Sequence, residues 1–104
     1  MGSTLTKPKA APKRRFRNVA GPVIRRLRNA RGWTQAELAA RLQIKGLDLD
    51  RADVGKIESQ LRSIYDFELF LFAEALAADA NVFSPGLKKI KADLALLRKG
   101  LKSV

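Results

Sequence analysis

RGWTQAELAARLQIKGLDLDRADVGKIE, Arg31 to Glu58, is the stretch whose reading decides the fold. It reads as two helices joined by a bend, each with its start marked. Thr34 is placed to N-cap the first, because Glu37 three residues on completes a capping box. Leu38, Ala39 and Leu42 then share one face at helical spacing. Gly46 is the natural stop, since glycine accepts the left-handed backbone that ends helices. The intervening turn, Gln43 to Leu49, extends the first helix to Lys45 and returns Leu47 and Leu49 to the core. Asp50 caps the second helix, with Val54, Ile57 and Leu61 as its inward positions. Its other face carries Arg51, Ala52, Gly55, Lys56 and Ser59, all small, polar or basic. One helix supporting a second that presents a shallow basic face is the layout of a helix-turn-helix DNA reader.

These residues carry a resemblance. Ile24-Arg25-Arg26-Leu27-Arg28, Arg31-Gly32-Trp33-Thr34-Gln35, Glu37-Leu38-Ala39 and Val54-Gly55-Lys56-Ile57-Glu58 resemble the phage-repressor (Cro/Xre-type) helix-turn-helix family. Asp66-Phe67-Glu68-Leu69 and Ala73-Glu74-Ala75-Leu76 resemble its fourth helix. The likeness runs from Ala20 to Phe83. The chain departs from the pattern twice: typical members have a shorter central turn, often Gly-Val-Ser, and many have Gly where Gln60 stands. The long turn is similar to a variant within the family. The resemblance implies an all-α, lambda-repressor-like domain of about five helices. By the same resemblance, Arg51, Ala52 and Lys56 match positions that meet base edges, and Gln35 matches one that grips a phosphate.

The chemistry of those residues agrees with such roles. Arg or Lys can pair with guanine O6 and N7, and an alanine methyl can meet a thymine methyl. Gln35 opens its helix, where a side-chain amide and unpaired backbone N–H groups both face outward; an exposed glutamine with no partner is the plain alternative. Gly55 costs about 1 kcal/mol relative to Ala within a helix, which suits a backbone that something must approach closely. Asp50 and Asp53 would repel phosphate unless they cap the helix or accept from cytosine N4. Glu58 reads as the partner of a first-helix arginine. Arg62, in the next loop, is a phosphate-clamp candidate.

Around this centre, Asn18 to Arg31 forms the first helix, with Pro22 in its opening turn and Val23, Ile24, Leu27 and Ala30 inward. Arg25, Arg26 and Arg28 are expected to project outward, to phosphates or simply to water. Trp33 closes the core under the bend, base stacking being the alternative. Asp66 is read as the cap of the fourth helix, with Leu69, Phe72, Ala73 and Leu76 in the core. Phe67, Phe70 and Leu71 leave that helix apolar on a further side, as a contact surface would be. Asp79 starts a short helix through Phe83, and Ser84-Pro85-Gly86 marks a boundary. Beyond it Leu87, Ile90, Leu94, Leu97 and Leu101 alternate at spacings of three and four, a heptad seam that pairs two copies or docks on its own domain.

The chain has 104 residues, enough for one small domain with tails, and 46% hydrophobic residues for a modest core. It lacks Cys and His, so thiolate sites, disulfides and histidine chemistry are excluded. No carboxylate pair, nucleophile–base set or phosphate-cradling glycine loop suggests an enzyme, and neither a cofactor nor a small-molecule effector is expected. No transmembrane or secretory segment is evident, and the expected location is cytoplasmic. The net charge of +11 is uneven: residues 1–17 carry +6, residues 18–84 sum to zero, and residues 85–104 carry +5. Because the middle is neutral, charge alone does not argue that the domain binds DNA; the motif must.

Residues 1–17 are too polar to form a core and read as a disordered basic arm. Its Arg14, Arg15 and Arg17 would follow phosphates or enter a minor groove, against a bare solvated tail or, with less support, a transit peptide. The organisation expected is therefore an arm at 1–17, a helix-turn-helix domain at 18–84 and a C-terminal helix at 85–104. The expected function is sequence-specific duplex DNA binding by a homodimeric transcriptional regulator. The rival is a protein-interaction module on the same fold, antitoxin-like or a bridging adaptor. RNA binding is weaker for want of aromatic stacking platforms.

Overall fold

A computed structural model describes residues 17–84 and 86–102, apart from the side chains of Leu97 and of residues 100–102. Every regular element among the described residues is helical: α1 (Gly21–Ala30), α2 (Gln35–Ile44), α3 (Arg51–Glu58), α4 (Asp66–Ala75), a 3-10 turn (Ala80–Phe83) and α5 (Leu87–Lys102). α2 packs on α3 and α4, α1 packs on α3 and the 3-10 turn, and the 3-10 turn also meets α4. Phe72, Phe83, Ile24, Leu38, Leu42, Ile57, Leu76 and Val54 are fully buried at the centre. Burying each such side chain favours folding by about 1.5–3 kcal/mol.

The helix boundaries follow from local chemistry. In α2 the Glu37 N–H donates to Thr34 Oγ1 at 3.0 Å, and the Thr34 N–H donates to Glu37 Oε1 at 2.7 Å. This capping box satisfies two otherwise orphaned donors. α2 ends at Ile44, one residue before Lys45, and Gly46 follows with φ +93°. The chain then doubles back: the Leu47 N–H donates to the Leu42 carbonyl, the Gln43 amide donates to the Leu49 carbonyl at 2.9 Å, and Leu47 and Leu49 are buried. The long turn thus adds two core residues between α2 and α3.

Several expectations need correction. Ala30, expected inward, is exposed at the last position of α1, and Leu71, expected on the outer apolar side of α4, is half-buried against the core. α3 stops at Glu58, so Leu61 is off its apolar stripe and exposed. The reason is Gln60, whose φ of +64° turns the chain out of the helix. α4 has Tyr65 at its cap position and Asp66 as its first residue. The acid that secures its start is Glu68, buried and accepting from the Tyr65 N–H at 3.0 Å. Arg28 does not project outward; it is buried. It sits four residues after Ile24 and so shares the inward edge of α1, while Arg25 and Arg26 are exposed.

The start of α1 lies hard against the end of α3. A Cβ on Gly21 would overlap the Ile57 carbonyl oxygen and crowd that of Glu58. Glycine therefore permits this backbone-to-backbone approach. Among the described residues, α5 makes no broad contact with another helix. Its Ile90 is half-buried over an apolar hollow of about 210 Å³ lined by Val19, Ala20, Leu69 and Phe83.

Candidate nucleic-acid interface

α3 presents the residues singled out in the sequence on one exposed face: Arg51, Ala52, Lys56 and Ser59 are open to solvent, with Gly55 half-buried at its edge. The two acids nearby are occupied by backbone. The Asp53 N–H donates to Asp50 Oδ1 at 2.8 Å and the Asp50 N–H donates to Asp53 Oδ2 at 3.0 Å. The bond from the Asp53 N–H, with help from the Lys56 charge, holds the Asp50 carboxyl below its usual range. Both acids therefore act as caps, which removes the objection that they stand unpaired on a basic face.

Behind this face lies a buried polar network joining three helices. Arg28 Nε donates to Glu58 Oε2 at 2.6 Å and its Nη2 to Oε1 at 3.0 Å. Its Nη1 donates to the Trp33 carbonyl at 2.6 Å. The bond to Glu58 raises the Arg28 pKa further, although burial opposes it. Glu58 Oε1 also accepts from Gln35 Nε2 at 3.0 Å. Gln35, the first residue of α2, lies across Gly55, where a Cβ would sit 3.4 Å from its Oε1. At that distance a Cβ would make ordinary van der Waals contact, so the described neighbours of Gly55 do not require a glycine there. An ionised carboxylate can only accept, so the Gln35 amide is oriented with its NH2 toward Glu58. Gln35, Gly55 and the exposed residues of α3 form one block.

The remaining candidates are placed differently. Arg62 is engaged within the chain: Nη1 and Nη2 donate to Glu68 Oε1 and Oε2 at 3.2 and 3.3 Å. Arg17 is exposed, and its backbone N–H donates to the Gln60 carbonyl at 3.2 Å. Arg14 and Arg15 lie outside the described residues. Along the α5 seam, Leu87 and Leu94 are exposed and Ile90 half-buried, while the side chains of Leu97 and Leu101 are outside the description. Tyr65, Phe67 and Phe70 form an exposed aromatic strip, with the Tyr65 and Phe67 rings stacked at 5.5 Å. No three described His, Cys, Asp or Glu residues gather as a metal site would, and no described helix is long and apolar enough to cross a membrane.

Sequence reasoning paired Glu58 with an arginine of the first helix but missed which one. The signal was present: Glu58 lies four residues after Val54, and Arg28 four after Ile24, so both stand on inward faces. The Arg41 guanidinium 3.9 Å above the Trp33 ring was also missed, and periodicity carries no sign of it. The chain matches no protein-family model, no curated protein and no solved structure.

Proposed function

We propose that this protein binds duplex DNA in a sequence-selective way through α3 and regulates transcription by occupying its site. The fold reading behind this is the lambda-repressor-like helix-turn-helix that the Cro/Xre resemblance implies. The observation that supports it best is the joint placement of Gln35 and α3. Gln35 stands at the start of α2, where unpaired backbone N–H groups suit a phosphate. Its amide is bonded to Glu58 of α3, the helix that carries exposed Arg51, Ala52 and Lys56. Phosphate contact then sets register while the α3 side chains select bases.

Pairing of two copies through α5 completes the proposal. Leu87 and Leu94 keep apolar surface exposed on α5. A twofold pair would read half-sites about 34 Å apart. The aromatic strip Tyr65–Phe67–Phe70 favours a second reading, an interaction module on the same fold. Selection of sites from a random duplex pool separates the two. A recovered motif supports the DNA reader, whereas retention of no duplex, or of every duplex equally, contradicts it.

A further inference from the structure

α4 leaves an aromatic face open to solvent. Tyr65, Phe67 and Phe70 are 62, 59 and 63% exposed. At roughly 100° per residue, Asp66, Phe67, Phe70 and Glu74 fall within one sector of the helix, so two exposed carboxylates border the rings. α4 itself carries no Lys or Arg. Its third acid, Glu68, is buried and held by Arg62. Glu74 meets Lys45 at 3.7 Å, an exposed pair that holds neither side chain firmly. A face of this kind fits a helix that is apolar along one stripe and basic beside it.

α5 is such a helix. Leu87 and Leu94 are exposed seven residues apart, and Lys91 and Arg98, each four residues after one of those leucines, are exposed on the same side. The helix carries six Lys or Arg, and its one acid, Asp93, is buried with Lys89 Nζ against it at 2.6 Å. The α5 of the same chain is placed elsewhere: its Ile90 lies over the hollow at Leu69. Leu69 is roughly a third of a turn around α4 from the middle of the aromatic sector. Resting on the pairing of two copies through α5, we propose that the α4 aromatic face is the seat of α5 from the second copy. Leu87 and Leu94 cover the rings, Lys91 and Arg98 meet Asp66 and Glu74, and a twofold axis repeats the contact. Charge favours this over α5 packed on α5, since two helices that expose only cations repel, whereas on α4 the same cations meet carboxylates.

The test is sedimentation velocity of the full chain at micromolar concentrations across a series of NaCl concentrations, with thermal unfolding as the control. One variant is Phe67→Ser with Phe70→Ser; the other is Leu87→Ser with Leu94→Ser. All four side chains are exposed, so both variants should keep a cooperative unfolding transition. Each should weaken association roughly tenfold or more, the scale of one large apolar side chain left uncovered. Mixing the two variants should recover part of the pairing, because the mixed pair retains one intact contact between α4 and α5. Pairing of the unaltered chain should weaken as salt is added, as attraction between opposite charges does.

A pair that survives Phe67→Ser with Phe70→Ser, or that strengthens with salt, overturns the α4 seat and leaves pairing through α5 standing. Pairing lost with the aromatic substitutions but kept with the leucine ones places a different occupant on the rings and overturns it as well. An unaltered chain that stays monomeric overturns both this inference and the pairing beneath it. None of these readouts involves DNA, so the duplex-binding reading stands or falls separately.

Discussion

Glu58 puts a carboxylate on the core side of α3, its side chain only 2% exposed, and Arg28 meets it with its own side chain 10% exposed. Removing one partner of such a pair costs far more than the pair contributes, because the other charge stays buried alone. Arg28→Ala should therefore destabilise the domain by about 3–5 kcal/mol, whereas Arg28→Met with Glu58→Leu should cost much less. Urea unfolding of the wild type and the two variants checks this; equal losses would mean that the buried charge itself is not at issue. The pair also shows what was legible at this scale. Glu58 was recognisable as an internal partner because a charge on an apolar stripe needs one. Arg28 was hidden among three arginines, and only its long aliphatic stem lets it follow the inward edge and still deliver its head to a carboxylate. Arg62 was hidden for the opposite reason. Nothing local tells an arginine available to phosphate from one held by Glu68, six residues on.

α3 has eight residues, too few to persist as an isolated helix. It survives because the Asp50–Asp53 box closes its start and the α1 terminus seals its end. Gly21 makes that seal possible, so Gly21→Ala must push α1 away from the Ile57 carbonyl. The expected cost is about 1–3 kcal/mol, the usual penalty for overpacking, and amide exchange should quicken most at the end of α3. A Gly21→Ala protein as stable as the wild type would show that the two termini do not need to touch. Element starts were readable because Thr34, Asp50 and Asp79 each accept a backbone N–H close by in sequence. The return of Leu47 and Leu49 to the core was readable from Gly46 and two leucines spaced by one. The end of α3 was not. Leu61 fits the helical period, and only a non-local hydrogen bond to the Asn18 carbonyl accounts for a glutamine in the left-handed region that stops the helix early. On α5 the spacing of Leu87, Ile90 and Leu94 marks an apolar face, and periodicity does not say what covers it.

Across the whole molecule, the sequence between residues 18 and 84 carries no net charge, and the basic excess lies at the two ends. Under the DNA-binding proposal, affinity for the polyanion would then come chiefly from the ends and discrimination between sequences from α3. The two contributions separate on two duplexes, one carrying the selected site and one with that site scrambled. Arg51→Ala and Lys56→Ala should each lose about 1–3 kcal/mol of the preference between them. Gln35→Ala, whose residue is proposed to touch phosphate and not bases, should weaken both duplexes alike. The most direct test is therefore the ratio of the two affinities for each variant. A reduced ratio is predicted for Arg51→Ala and Lys56→Ala, and an unchanged ratio for Gln35→Ala. Three unchanged ratios would show that this face of α3 does not read DNA.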